Sequence, residues 1–316
     1  MPRSIYASCV CCWSLLLVAA MLPVSPALAQ EGTAASEPQF ATGVLTTIPP
    51  DIDAEDTVSI HDIVELHADT SLEREPRLNT KSRTLFEMAD DTVFRHQVWC
   101  LELSFKPLRM IHVDIPQASG KMQRKLIWYM VYRVKNTGMA LVPEQQDDGN
   151  FTTRRVQADT QRFIPQFILA SHDEGAAGGK EYLDRILPAA MPVIARREMP
   201  RGNVLDSVQM SEQLLAPQAS LWGVAIWEDV DPEIDFFSIY AGGLTNAYRW
   251  KDVEKFKAGD PPGRGRTFSR KTLQLNFWRP GDELAENERE FRYGVAPGQA
   301  GRYGTDEGVA YRWIYR

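Results

Sequence analysis

Leu126–Tyr132, read Leu-Ile-Trp-Tyr-Met-Val-Tyr, is a run of seven consecutive apolar or aromatic residues. β-Branched and aromatic side chains of this kind suit a pleated surface. A strand with one wet face alternates, whereas a strand covered on both faces does not. Alternation returns at Arg133-Val134-Lys135, and Asn136-Thr137-Gly138 closes the run with turn residues. The stretch therefore reads as a strand buried on both faces at the centre of a β-sandwich.

The remaining chain supplies partners for it. Leu101, Leu103 and Phe105 alternate with Glu102 and Ser104. Lys106-Pro107 then breaks the phase. Leu108 and Met110 fall on even numbers, while Ile111, Val113 and Ile115 return to odd ones. A period of two that slips by one residue predicts a bulge or a change of sheet. Further strands are expected at Phe163–Ala170, Leu221–Trp227, Phe236–Tyr240, Leu244–Trp250, Lys271–Trp278 and Val309–Arg316. Tyr182–Leu187 meets Pro188 and Pro192, which argues for an extended crossing segment rather than a long helix. Asp206 with Gln209 has capping-box spacing and predicts a short helix closed by Pro217. Ser59 with Asp62 predicts another near Ile60–His67, and Leu85–Phe94 allows a third. The strands do not alternate with helices of regular length, so a parallel βαβ sheet is disfavoured. The fold expected is mainly β: an immunoglobulin-like antiparallel sandwich with long insertions and a few short helices.

Residues 1–29 read as a signal peptide. Arg3 precedes an apolar segment from Val10 to Leu22, and Ala27-Leu28-Ala29 offers a cleavage pattern. Residues 30–97 read as a flexible leader with short helices, and residues 98–316 as the sandwich. The expected location is periplasmic or extracellular, with no transmembrane segment once the signal is cleaved. Cys9, Cys11 and Cys12 would leave with the signal. Cys100 sits in an apolar strand start and reads as a buried, inert thiol. A net charge of −7 argues against a nucleic-acid partner, which requires a positive footprint.

The runs Leu103–Ile111, Ile127–Gly138 and Gly243–Trp250 resemble uncharacterised exported proteins of planctomycete-type bacteria. The resemblance spans most of Val98–Arg316 and implies a bacterial envelope setting. It implies no activity, ligand or catalytic residue.

Motifs for chemistry are sparse. There is no Gly-x-Ser-x-Gly elbow, no phosphate loop and no local zinc pattern. Glu228–Asp235 packs five carboxylates into eight residues. Asp229, Asp231 and Asp235 could offer hard oxygen ligands to calcium. Pro232 makes the turn without a metal, so a solvated acidic turn is the plainer reading, with no cofactor. Trp250, Trp278 and Tyr248 lie at or near strand ends, where aromatic faces could stack on sugar rings. Arg264 and Arg266 sit in a basic loop on an acidic protein, suited to an anionic polymer or partner. Together these point to an exported, non-catalytic binding or structural protein that contacts protein or envelope polysaccharide. The alternatives are a carbohydrate-binding module and a hydrolase whose site is assembled from loops.

Overall fold

The computed structural model describes residues 45–59, 94–173, 179–199, 202–253, 265–280 and 291–316. Every pairing between its strands is antiparallel. The front sheet runs β1 (Thr46–Ile48), β5 (Glu102–Phe105), β7 (Met122–Lys135) and β12 (Ser220–Trp227), with β6 (Arg109–Pro116) beside the first half of β7. The back sheet runs β11 (Glu181–Leu183), β10 (Gln166–Ser171), β13 (Phe236–Gly242) and β15 (Arg266–Trp278). Beyond β15 lies β17 (Tyr311–Tyr315), while β14 (Tyr248–Asp252) and β16 (Arg292–Tyr293) pair its two ends. Smaller ribbons are made by β2 (Val58–Ser59) with β3 (Phe94–Arg95), and by β4 (Val98–Trp99), β8 (Met139–Gln145) and β9 (Phe151–Gln157).

β7 explains its own sequence. Trp128, Met130, Tyr132 and Val134 enter the core between the sheets, beside Phe105, Phe167, Phe237 and Phe277. Trp128 meets Phe237 edge-on at 5.4 Å, and Tyr132 meets Phe167 at 4.7 Å. Ile127, Tyr129 and Val131 point the other way, into a second core with Val224 and Ile226 of β12. That outer face is roofed by Ala190, Ile194 and Val204. Each large side chain so buried contributes about 1.5–3 kcal/mol relative to exposure. Two roofs, not one, are why the run does not alternate.

The roof contains a short helix that follows the crossing segment. Helix α1 (Met191–Glu198) forms because Pro192 falls in its first turn, where the missing N–H would have no partner anyway. Residues 181–187 do cross the sandwich as expected. The Asp184 N–H donates to the Phe167 carbonyl in the back sheet, and the Arg185 N–H to the Ile226 carbonyl in the front. Helix α2 (Ser207–Glu212) begins on the expected capping box of Asp206 and Gln209.

The phase slip is a bulge. β5 pairs Phe105 with Tyr132, and β6 pairs Arg109 with Tyr129, so three residues oppose two. Lys106 keeps one ladder bond, its N–H to the Val131 carbonyl at 2.8 Å. The extra residue changes parity while Leu103, Phe105, Leu108 and Met110 stay on the inner core.

The boundary at residue 98 is displaced. β1 pairs β5, Ile48 is 1% exposed, and Asp56 is buried, so residues 46–59 belong to the sandwich rather than to a leader. Ser59 lies in β2 and Phe94 in β3, not in helices. The signal segment 1–29, the leader up to 44, the remainder of both proposed helices, and Arg264 lie outside the described residues. Strand order and the shared core establish the antiparallel sandwich, and they carry the immunoglobulin comparison no further. Among the described residues, no helix is long and apolar enough to cross a membrane.

Candidate functional site

β14 and the first half of β15 form a ribbon with a distinctive face. Register places Trp250 opposite Phe268 and Tyr248 opposite Arg270. Alternation puts Tyr248, Trp250, Phe268, Arg266 and Arg270 on one side. The Arg266 guanidinium stacks 3.6 Å over the Trp250 ring. Phe268 lies 6.1 Å from Tyr248, and Tyr248 lies 5.5 Å from the His96 ring. Phe268 is 49% exposed, and Arg270 is exposed too. On the reverse side, Arg249 covers Tyr315 at 4.0 Å and Lys251 is exposed. The two paired segments carry four basic residues against one acidic residue, on a chain whose net charge is −7. A guanidinium held over an indole keeps its positive charge against the aromatic face, and exposed Arg270 and Phe268 flank it. The face can therefore pair with carboxylate or sulfate groups and cover apolar ring surface at once.

Of the residues singled out in the sequence, Tyr248, Trp250 and Arg266 meet here. Trp278 does not. It ends the 13-residue β15 at the opposite end, paired with Phe236 and covered by Arg292 at 5.1 Å. A strand of that length spans roughly 40 Å. Phe268 escapes a reading of the sequence because Arg-Thr-Phe-Ser-Arg has no apolar neighbours to mark a strand; only register reveals its place.

The acidic turn lies near the Trp278 end, and its three aspartates separate. Asp229 pairs with Lys125 at 3.2 Å, beside Glu228 at 2.6 Å, and these bonds hold the Lys125 ammonium above its usual range. The Asp231 carboxylate accepts the Glu233 N–H at 3.0 Å, fixing the turn. Asp235 faces a cleft of about 490 Å³ shared with Asp173, Lys180, Tyr182, Glu233 and Arg302. Burial raises the Asp235 carboxyl pKa. Among the described residues, no group of three or more His, Cys, Asp or Glu side chains converges on a point. The five-carboxylate count misleads because adjacent residues in a turn diverge.

A serine–histidine contact occurs deeper in the back sheet. His172 Nε2 lies 2.8 Å from Ser238 Oγ, which donates to Asn276 Oδ1 at 2.8 Å. Gln274 Nε2 donates to both Ser238 and Asn276. Burial pulls the His172 pKa down to about 4. Ser238 is 0% exposed, so no substrate atom reaches its Oγ, and the network serves packing. At the sandwich crossing, the Asp184 carboxylate accepts from the Ser207 hydroxyl and from the Ile226 N–H at 2.8 Å. Burial pushes its pKa up to about 6 against those bonds. Cys100 is buried and free, and burial pushes its thiol up to about 12, as expected of an inert residue.

Compared with protein-family models, with curated proteins and with solved structures, the chain matches none.

Proposed function

We propose that the chain is an exported, non-catalytic binding protein whose β14–β15 ribbon holds an acidic envelope polysaccharide. One observation carries this reading: the Arg266–Trp250 stack beside exposed Phe268, on a cationic ribbon of an acidic protein. Stacked aromatics supply contact to sugar rings, and guanidinium groups supply paired bonds to carboxylates. The bulk negative charge keeps the rest of the surface from holding the polymer without specificity. Affinity electrophoresis through gels containing polygalacturonate tests the reading, with neutral dextran as the control. The intact protein is retarded by polygalacturonate and not by dextran, and added salt weakens the effect. Replacing Phe268 by Ala together with Arg270 by Glu restores free migration, while Trp278→Ala at the far end changes nothing. Equal migration of the intact protein in both gels overturns the proposal.

A further inference from the structure

A buried ion pair fastens the 3-10 turn Ala54–Thr57 to the back sheet. Lys271 Nζ lies 2.6 Å from Asp56 Oδ2, with the two side chains only 5% and 2% exposed. The same nitrogen lies 3.3 Å from Asp51 Oδ2, and Asp51 is partly open to solvent. The Tyr315 hydroxyl donates to Asp56 Oδ1, and the Asp53 N–H donates to Oδ2 at 2.9 Å. The Trp313 ring closes one side, 6.0 Å from the ammonium. Among the described residues the one cysteine, Cys100, is free. We propose that Lys271 and Asp56 condense into an intramolecular isopeptide bond that covalently joins the turn to β15.

The arrangement supplies each part of the reaction. The resting state is an ion pair. Burial pushes the Asp56 carboxyl up, but the bonds from Lys271 and Tyr315 outweigh it and hold the group low. Burial likewise pulls Lys271 down, and Asp56 outweighs that. Because both ions have lost most of their hydration, burial itself favours the uncharged pair of amine and carboxylic acid. Transfer of one proton from Nζ to Oδ2 produces that pair. The amine lone pair then attacks the Asp56 carboxyl carbon. Negative charge develops on Oδ1, where the Tyr315 O–H already points, as an oxyanion donor should. Asp51 takes the second proton from Nζ and passes it to the departing Oδ2 hydroxyl. A C–N bond forms and a C–O bond breaks. The ammonium and carboxylate become one amide and one water, with no oxidant or reductant. In water this condensation is unfavourable, but fixed neighbours react at effective concentrations on the order of 10⁵ M or more. Burial of the Lys271 and Asp56 side chains limits the access of water that would reverse the step.

Mass measurement of the purified, denatured full-length product decides the matter. A condensed chain weighs about 18 Da less than the sequence between its own terminal residues, one water lost. Trypsin cannot cut after acylated Lys271, so digestion yields a branched peptide joining the Lys271 and Asp56 segments. K271R and D56A restore full mass. Either variant can unfold, so the intact protein's own mass stands as the primary test. Tyr315→Phe, which keeps the ring, leaves a measurable fraction of chain uncondensed. A native chain at its full sequence mass overturns the proposal. So does an 18 Da loss confined to a linear peptide containing Asp56, which would be a cyclised aspartyl imide.

Discussion

Replacing Asp184 by Asn should expose an acid sensitivity that the native chain conceals. Asp184 titrates near 6 when folded, against 3.8 for an ordinary aspartate. The folded chain therefore binds the proton first, and stability rises as pH falls through that window. His172 does the opposite. Its folded value is about 4 against an ordinary 6.5, so the unfolded chain binds the proton first and stability falls on acidification. A pKa that differs by one between folded and unfolded chain is worth about 1.4 kcal/mol. Between pH 7 and pH 4 the Asp184 contribution adds about 2 kcal/mol, and the His172 contribution removes about 3 kcal/mol. The two nearly cancel in the native chain. The D184N side chain retains an oxygen for the Ile226 N–H but has no charge to neutralise, so the term that offsets the histidine loss is removed. The assay is urea unfolding of both proteins across this pH range, comparing extrapolated free energies. Every other titrating group is common to both chains and drops out of the difference; Asp206, whose charge helps to raise the Asp184 value, is among them. The gap between the native chain and D184N should widen by about 2 kcal/mol toward acid. Parallel curves would refute the assignment of a raised pKa to Asp184.

Two further substitutions probe the frame around the sites. Glu198 is 6% exposed and accepts from Arg109 at 2.7 Å and Tyr129 at 2.8 Å, with Lys106 at 3.5 Å. Glu198→Ala removes the buried carboxylate that faces Lys106, Arg109 and Tyr129 and should cost about 3 kcal/mol, seen as a lower urea midpoint at unchanged slope. Gly243 holds φ +84°, and a Cβ there would overlap the Ile164 carbonyl oxygen. Gly243→Ala should cost about 2 kcal/mol or more in the same assay, and a variant that melts with the native chain would contradict the close approach.

Local pattern exposes those parts of the molecule that local forces decide. The Asp206–Gln209 capping box is four residues of backbone chemistry, and it forms as written. The bulge at Lys106-Pro107-Leu108 is legible because parity is a property of the strand itself. The double burial of Leu126–Tyr132 is readable, but its cause is not. One roof is the second sheet. The other is α1, hidden because its prolines look like breakers until their position at the helix start is known.

The sites are a different matter, because they are products of register. Trp250 and Trp278 look alike in sequence, yet β15 carries them to opposite ends. Asp56 and Lys271 are 215 residues apart, and although Asp56 is the N3 residue of a capping box with Asp53, nothing local points to Lys271. Both are ordinary charged residues until the turn folds onto the sheet. A buried ion pair is a poor source of stability, since desolvation offsets most of the attraction. Apolar residues of similar volume would pack the same joint at no such cost. Asp56 and Lys271 stand together with both side chains nearly covered, and Tyr315 is aimed at the carboxyl oxygen that would become the amide carbonyl, which is the arrangement the proposed bond requires.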